Sequence, residues 1–255
     1  YIQPFPNTSL PMIIREPCTR LVVVAFALCF ATFANARDVA VSRVSEAIDY
    51  RIVDEFPRDV RLFTQGLEWH EGRFLESSGG YGSSVLAETN PATGALLRAK
   101  KLPGEVFAEG VTRWRDRIVQ LTWREGLAFI FDLDLKPIGS WRYDGEGWGL
   151  THDDQHFIMS DGSSRLTFRN ADDFTVVRTV TVTDGDTLVT QLNELEYANG
   201  YVFANLWHSD RIAVIDPSNG KVRAWLDLSS LRARFEKPPG WDAAEHVLNG
   251  IAYNP

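Results

Sequence analysis

The segment Gln65-Gly-Leu-Glu-Trp69 returns as Glu109-Gly-Val-Thr-Arg113, Trp148-Gly-Leu-Thr-His152, Asn193-Glu-Leu-Glu-Tyr197 and Asn249-Gly-Ile-Ala-Tyr253. The spacing, about 40–55 residues, is that of propellers and stacked arrays. A second apolar run follows each of the first four: Gly72-Arg-Phe-Leu-Glu76, Arg117-Ile-Val-Gln-Leu121, His156-Phe-Ile-Met-Ser160 and Gly200-Tyr-Val-Phe-Ala204. Two further apolar runs then flank a turn rich in Asp, Asn, Pro and Gly, as in Val85–Thr89, Asn90-Pro-Ala-Thr-Gly94 and Ala95–Arg98. Alternation, β-branched content and turn residues make each pair a β-hairpin. A unit too small to bury its own apolar face must stack on its copies. The expected fold is therefore all-β: a five-bladed β-propeller of four-stranded antiparallel blades spanning 50–255.

The fifth repeat reaches Pro255 after its first strand. The expectation is an incomplete last blade and a C-terminally truncated chain lacking about 25–30 residues, if blade length holds. Tyr50-Arg-Ile-Val-Asp54 is expected to lend one strand to the closing blade. Helical patterning is confined to Leu231–Phe235 and Asp242–Val247, in the link before the fifth repeat.

The chain has 255 residues, 44% hydrophobic and 12% aromatic, enough for one packed domain. A formal charge of −8 argues against nucleic acid or an anionic membrane surface as a partner. Arg15 and Arg20 precede the apolar run Leu21–Phe30, and Ala34-Asn-Ala36 follows it. Charged flank, short apolar stretch and A-x-A site together read as a secretory signal. Residues 12–36 are thus expected to be a signal peptide starting at Met12, residues 1–11 mis-translated upstream sequence, and 37–49 a linker. The expected location is exported, periplasmic or secreted, with no membrane attachment after cleavage. Cleavage after Ala36 removes both cysteines, Cys18 and Cys29, and with them any disulfide or thiolate metal site.

Innermost propeller strands line the channel, so the residues before the repeated Gly form a ring of Gln65, Glu109, Trp148, Asn193 and Asn249. Phe63 and Phe107 lie two residues upstream and face the same way by strand alternation. Trp123 and Trp207 close the second strands. One carboxylate, several amides and aromatic walls suit a small polar ligand with an apolar stem. A Glu among indoles is desolvated, which raises its pKa towards the range useful for proton transfer. Ordinary inter-blade packing explains the tryptophans about equally well, whereas buried polar groups need partners or a purpose.

At these residues the chain resembles the plant and bacterial glutaminyl cyclases, the five-bladed propeller type of glutaminyl-peptide cyclotransferase. The resemblance runs from about Tyr50 to Tyr253. It rests on Phe63-Thr-Gln-Gly66, Phe107-Ala-Glu-Gly110, Asp144-Gly-Glu-Gly-Trp-Gly149, Ser160-Asp-Gly162, Leu192–Tyr197, Asn205-Leu-Trp207 and Val247-Leu-Asn-Gly250, in order and at matching spacing. It implies that peptides or proteins with N-terminal glutamine are substrates, cyclised to pyroglutamate with loss of ammonia. It puts the general acid/base on Glu109, amide orientation on Gln65 and Asn193, and the pocket walls on Phe63, Phe107, Trp123, Trp148 and Trp207. No cofactor is implied for catalysis, and zinc belongs to the unrelated animal cyclases. A structural calcium is compatible with this propeller type, although no calcium-loop motif supports it. A monomer is expected. The family lysine falls in a Thr-Gly-Lys segment beyond Pro255. Ala108 stands where relatives carry Gly, a change tolerated unless substrate backbone runs against it.

Two other readings stay open from the residues. A metal-dependent, lactonase-like propeller hydrolase needs several carboxylates converging on a cation, where this ring offers one. A non-catalytic propeller could hold peptides at the aromatic mouth. His152 and His156 have a metal-like spacing only on a helix, and they flank a strand turn. Glu76 reads equally as a mouth residue or as a salt-bridged strand end.

Overall fold

The structure, a computed structural model, describes residues 2–4, 45–235, 237, 241–242 and 244–255. The stretch read as a signal peptide (12–36), most of the upstream segment and linker residues 37–44 lie outside the described residues. Among the described residues, no helix is long and apolar enough to cross a membrane.

Four antiparallel sheets follow one another along the chain, each with its strands in sequence order. Blade one comprises Thr64–His70, Arg73–Ser78, Val85–Thr89 and Leu96–Lys101. Blade two comprises Ala108–Trp114, Arg117–Thr122, Leu127–Asp132 and Pro137–Arg142. Blade three comprises Leu150–His152, His156–Ser160, Arg165–Asn170 and Val176–Thr181. Blade four comprises Leu192–Ala198, Tyr201–Leu206, Arg211–Ile215 and Val222–Asp227. Tight turns such as Asn199-Gly200, both residues at positive φ, join the inner two strands. That is the turn whose twist matches a hairpin.

The core is a set of layers between neighbouring blades. Leu75 and Leu86 of blade one meet Val111, Ile118 and Phe131 of blade two. Trp114 and Leu121 of blade two meet Leu150, Phe157 and Met159 of blade three. Ile158, Leu166 and Phe168 of blade three meet Leu195, Val202 and Ala213 of blade four. Outermost strands such as Leu96–Lys101 are largely exposed. Each blade therefore buries its faces only by standing against a neighbour, as the repeat demands.

The repeated glycine marks where inner strands touch. A Cβ on Gly66 would lie 2.6 Å from the Val111 amide nitrogen, one on Gly110 2.4 Å from that of Leu150, and one on Gly149 2.1 Å from the Asn193 carbonyl. The Gly110 N–H donates across the seam to the Trp148 carbonyl at 2.7 Å. Side chains complete the belt. Glu68 accepts from the Arg113 N–H at 2.8 Å and the Thr112 hydroxyl at 2.7 Å, and Thr151 accepts from the Tyr197 N–H at 3.0 Å.

Blade four carries Glu194 in place of the glycine. Its carboxylate bridges the Leu67 N–H of blade one (3.1 Å) and the Ile251 N–H of the fifth repeat (2.8 Å). Gly250 N–H donates to Asn205 and Tyr253 N–H to Glu196. The fifth repeat, expected as a strand, thus runs between blades four and one on side-chain acceptors, without a strand partner among the described residues.

The N-terminal side differs from expectation. Tyr50–Ile52 pairs antiparallel with Ile2–Pro4 rather than with the fifth repeat. Glu46–Ala47, inside the stretch read as linker, joins blade four as a parallel fifth strand. Of the helical expectations, the first is a short helix at Ser229–Arg234, and 244–245 form a turn. The fold is a propeller with four full blades and an incomplete fifth.

Gly110→Ala forces a methyl group into the backbone of blade three. The expected loss is about 1–3 kcal/mol, the range for overpacking a tight site, measured by urea unfolding. Unchanged stability would contradict the close seam.

Candidate active site

Three ring residues sit in β-bulges. Thr64 pairs with Ser78 and Gly66 with Ser77, so Gln65 is the extra residue. Ala108 pairs with Thr122 and Val111 with Gln120, so Glu109 and Gly110 oppose one residue, Leu121. Leu192 pairs with Leu206 and Leu195 with Ala204, so Asn193 and Glu194 oppose one residue, Asn205. A bulge re-aims a side chain out of the pleat and recurs beside active sites. It also interrupts the two-residue alternation by which Phe63 and Phe107 were read. Trp148 lies just ahead of its strand and Asn249 on the fifth repeat.

The predicted walls form a connected aromatic set. Phe63 meets Phe107 edge-on at 6.4 Å between centroids, Phe107 meets Trp123 at 5.7 Å, and Trp148 meets Trp207 at 5.7 Å. Glu146 joins the two groups. One of its oxygens accepts the Trp123 indole N–H at 2.8 Å and the Trp148 indole N–H at 3.0 Å. Its other oxygen accepts from Arg124 Nε at 3.1 Å, and the Arg124 guanidinium lies 3.5 Å over the Trp123 ring. Tyr81 packs on Phe107 and donates its hydroxyl to Glu125. His246 stands edge-on to Phe63 at 6.3 Å and stacks on Trp241.

The polar ring is withdrawn from solvent: Gln65, Glu109 and Asn193 are all under a tenth exposed. Asn249 donates its side-chain N–H to the Gln65 carbonyl oxygen at 2.8 Å and to the Thr64 carbonyl at 3.0 Å. With that oxygen engaged, Gln65 presents its NH₂ as a donor. Asn193 fixes only its main chain, its carbonyl accepting from the Ser160 hydroxyl at 2.6 Å.

Burial, then the like charges of Glu146 and Glu125, hold the Glu109 carboxyl well above the ordinary carboxylate range. Burial also pushes Glu146 upward, but the hydrogen bonds from Trp148, Trp123 and Arg124 outweigh it and leave this carboxyl below its usual value.

Glu76 belongs to the fold rather than the mouth. It accepts from the Thr64 hydroxyl at 2.5 Å and from Arg58 at 3.1 Å. Ala108 is fully buried in the layer between blades one and two. Its methyl group therefore packs into the core. No three His, Cys, Asp or Glu side chains are grouped as metal ligands among the described residues.

Sequence reasoning missed Glu146, Glu125, Tyr81 and His246, and gave Asn249 no task beyond the ring. A signal existed for Glu146, an acid two residues before Trp148 in a glycine-rich turn. Tyr81 and Glu125 lie in loops with no comparable pattern.

A propeller whose channel mouth sets one buried acid among amides and indoles is the class that this fold and site define. Residues 22–255 match the family model described as glutamine cyclotransferase. The chain is 35% identical over 209 residues to the glutaminyl-peptide cyclotransferase of Arabidopsis thaliana, covering 81% of this chain. It spans 65% of that relative's length. It also aligns with the crystal structure of Myxococcus xanthus glutaminyl cyclase at a TM-score of 0.72 and 38% identity, covering 80% of this chain and 87% of that one. The chain belongs to the glutamine cyclotransferase family.

A raised folded-state pKa means that native protein holds a proton which the unfolded chain releases above about 4.5, the ordinary Glu value. Stability contributed by this group is therefore lost as pH rises from there to the folded value. Glu109→Gln, which never ionises, should melt like wild type near that lower limit and progressively higher than wild type towards alkaline pH. Parallel melting-temperature curves would contradict the burial of an ionisable acid here.

Proposed function

We propose that the protein is a glutaminyl-peptide cyclotransferase that converts N-terminal glutamine of peptides or proteins to pyroglutamate. The observation that carries this reading is Glu109: a buried acid of raised pKa in a β-bulge of the inner strand of blade two, with Gln65 and Asn193 in the matching bulges of blades one and four. Family membership supports the same chemistry.

The glutamine side chain curls back so that its α-amine nitrogen bonds to the γ-carbonyl carbon. The reaction is intramolecular, so holding that curled conformer supplies much of the rate. The aromatic walls bury the methylene stem. The Gln65 NH₂ and the Asn193 amide are the donors for the oxygen that turns anionic in the tetrahedral intermediate. Glu109, ionised, takes the proton lost by the attacking nitrogen. It then gives that proton to the departing amide nitrogen, the C–N bond breaks, and ammonia leaves. A carboxyl near its ordinary pKa is a poor donor to that nitrogen, and burial brings it closer to the working pH. Export rests on the Arg15–Ala36 pattern, which supports a periplasmic or secreted site of action.

The test is incubation with a Gln-initiated dipeptide while monitoring ammonia and pyroglutamyl product. Wild type should turn over, and Glu109→Gln should lower kcat by about 10²–10⁴, the worth of a general acid–base group. Full activity in that variant would reject the assigned proton carrier.

A further inference from the structure

We infer that Glu146 is the positioning residue of this site: its single carboxylate ties the indoles of Trp123 and Trp148 into one wall and fixes a negative charge within it. The inference deepens the cyclase reading and rests on it for the kinetic part of its test.

The geometry is unusual for a structural carboxylate. Trp123 directly follows the second strand of blade two, whereas Trp148 precedes the first strand of blade three. Their N–H groups converge on the same oxygen at 2.8 and 3.0 Å. An indole N–H is a donor only, so two of them in one partly buried place need an acceptor with spare capacity. A carboxylate oxygen has it, and the hydrogen bonds are charge-assisted. Arg124 holds the other oxygen and covers the outer face of Trp123. Behind Trp148 the chain makes room: a Cβ on Gly162 would lie 2.6 Å from its ring. Trp148 in turn carries Trp207. Moving Glu146 thus moves three of the five walls.

The second action is electrostatic. The ionisable groups felt by or feeling Glu109 are Glu146, Glu125, Tyr81 and Tyr143. Arg124 pairs with Glu146 but is mostly exposed, so it offsets that charge only in part. Glu146 is the largest of the charge effects on Glu109. The three donors that hold Glu146 ionised therefore act on Glu109 through it.

Protein labelled with ¹⁵N in its indoles tests the tie without any variant. The Trp123 and Trp148 N–H resonances should titrate together, with one common midpoint below the usual Glu range, because both report the same carboxylate. Separate midpoints, or no titration, would overturn the inference. Two variants separate the actions in kinetics from about pH 5 to 9, the span that brackets the substrate amine. Glu146→Asp keeps the charge and shortens the reach. It should leave the acid limb of kcat/KM in place and lower kcat by about tenfold to a hundredfold, the penalty of slight misplacement. Glu146→Gln keeps the size and removes the charge, and should move the acid limb towards lower pH. Wild-type limbs and wild-type kcat in both variants would overturn the inference. If wild type forms no pyroglutamyl product, the cyclase reading fails, and the paired indole titration still decides the position of Glu146.

Discussion

The inner strands of blades one to four press main chain against main chain at three seams, and the structure depends on that contact. Glycines at 66, 110 and 149 admit it, since a methyl group at any of them would meet a neighbour's backbone inside van der Waals distance. The fourth position breaks the pattern because its neighbour is the fifth repeat as well as blade one. There the Glu194 carboxylate accepts from both, and Glu196 and Asn205 anchor the rest of that repeat. Burial holds Glu194 and Glu196 well above the ordinary carboxylate range, with like charges adding to it. The closing seam is thus made of acids that hold their protons more tightly than ordinary carboxylates, which limits the repulsion between them.

The site is a by-product of the same contact. In blades one and two the residue before the close-packed glycine is carried in a bulge, and in blade four the bulge holds Asn193 and Glu194. Three distant segments supply Gln65, Glu109 and Asn193 by one local device. Asn249 joins them from the fifth repeat by its hydrogen bond to Gln65. The chemistry of these residues then follows from exclusion of water: an acid that is costly to ionise, set in the same fold as buried amides.

Much of this was legible before any coordinates. The recurrence of Gln65-Gly, Glu109-Gly, Trp148-Gly, Asn193-Glu and Asn249-Gly gives the propeller repeat, because inner strands are the most alike. Of the aromatic residues expected as walls, Phe63, Phe107 and Trp123 touch in a row, and Trp148 touches Trp207. Three things were hidden. A bulge leaves no mark in spacing, so Phe63 and Phe107 were aligned with the ring by an alternation that the structure interrupts. Tyr50–Asp54 has the apolar pattern of a strand but nothing local names its partner, and it pairs with Ile2–Pro4. Glu146 stands in a glycine-rich turn two residues before Trp148, but its importance appears only when two indoles from different blades are seen on one oxygen.

The central claim is that Glu109 faces the reacting amide of a glutamine held between aromatic walls. It is tested most directly by a co-crystal structure of Glu109→Gln with a Gln-initiated dipeptide. The account predicts the substrate side chain curled in the mouth, its γ-amide nitrogen within hydrogen-bond distance of residue 109 and its methylenes against Trp148 and Trp207. A dipeptide seated elsewhere on the propeller, or residue 109 turned away from the bound amide, would contradict it.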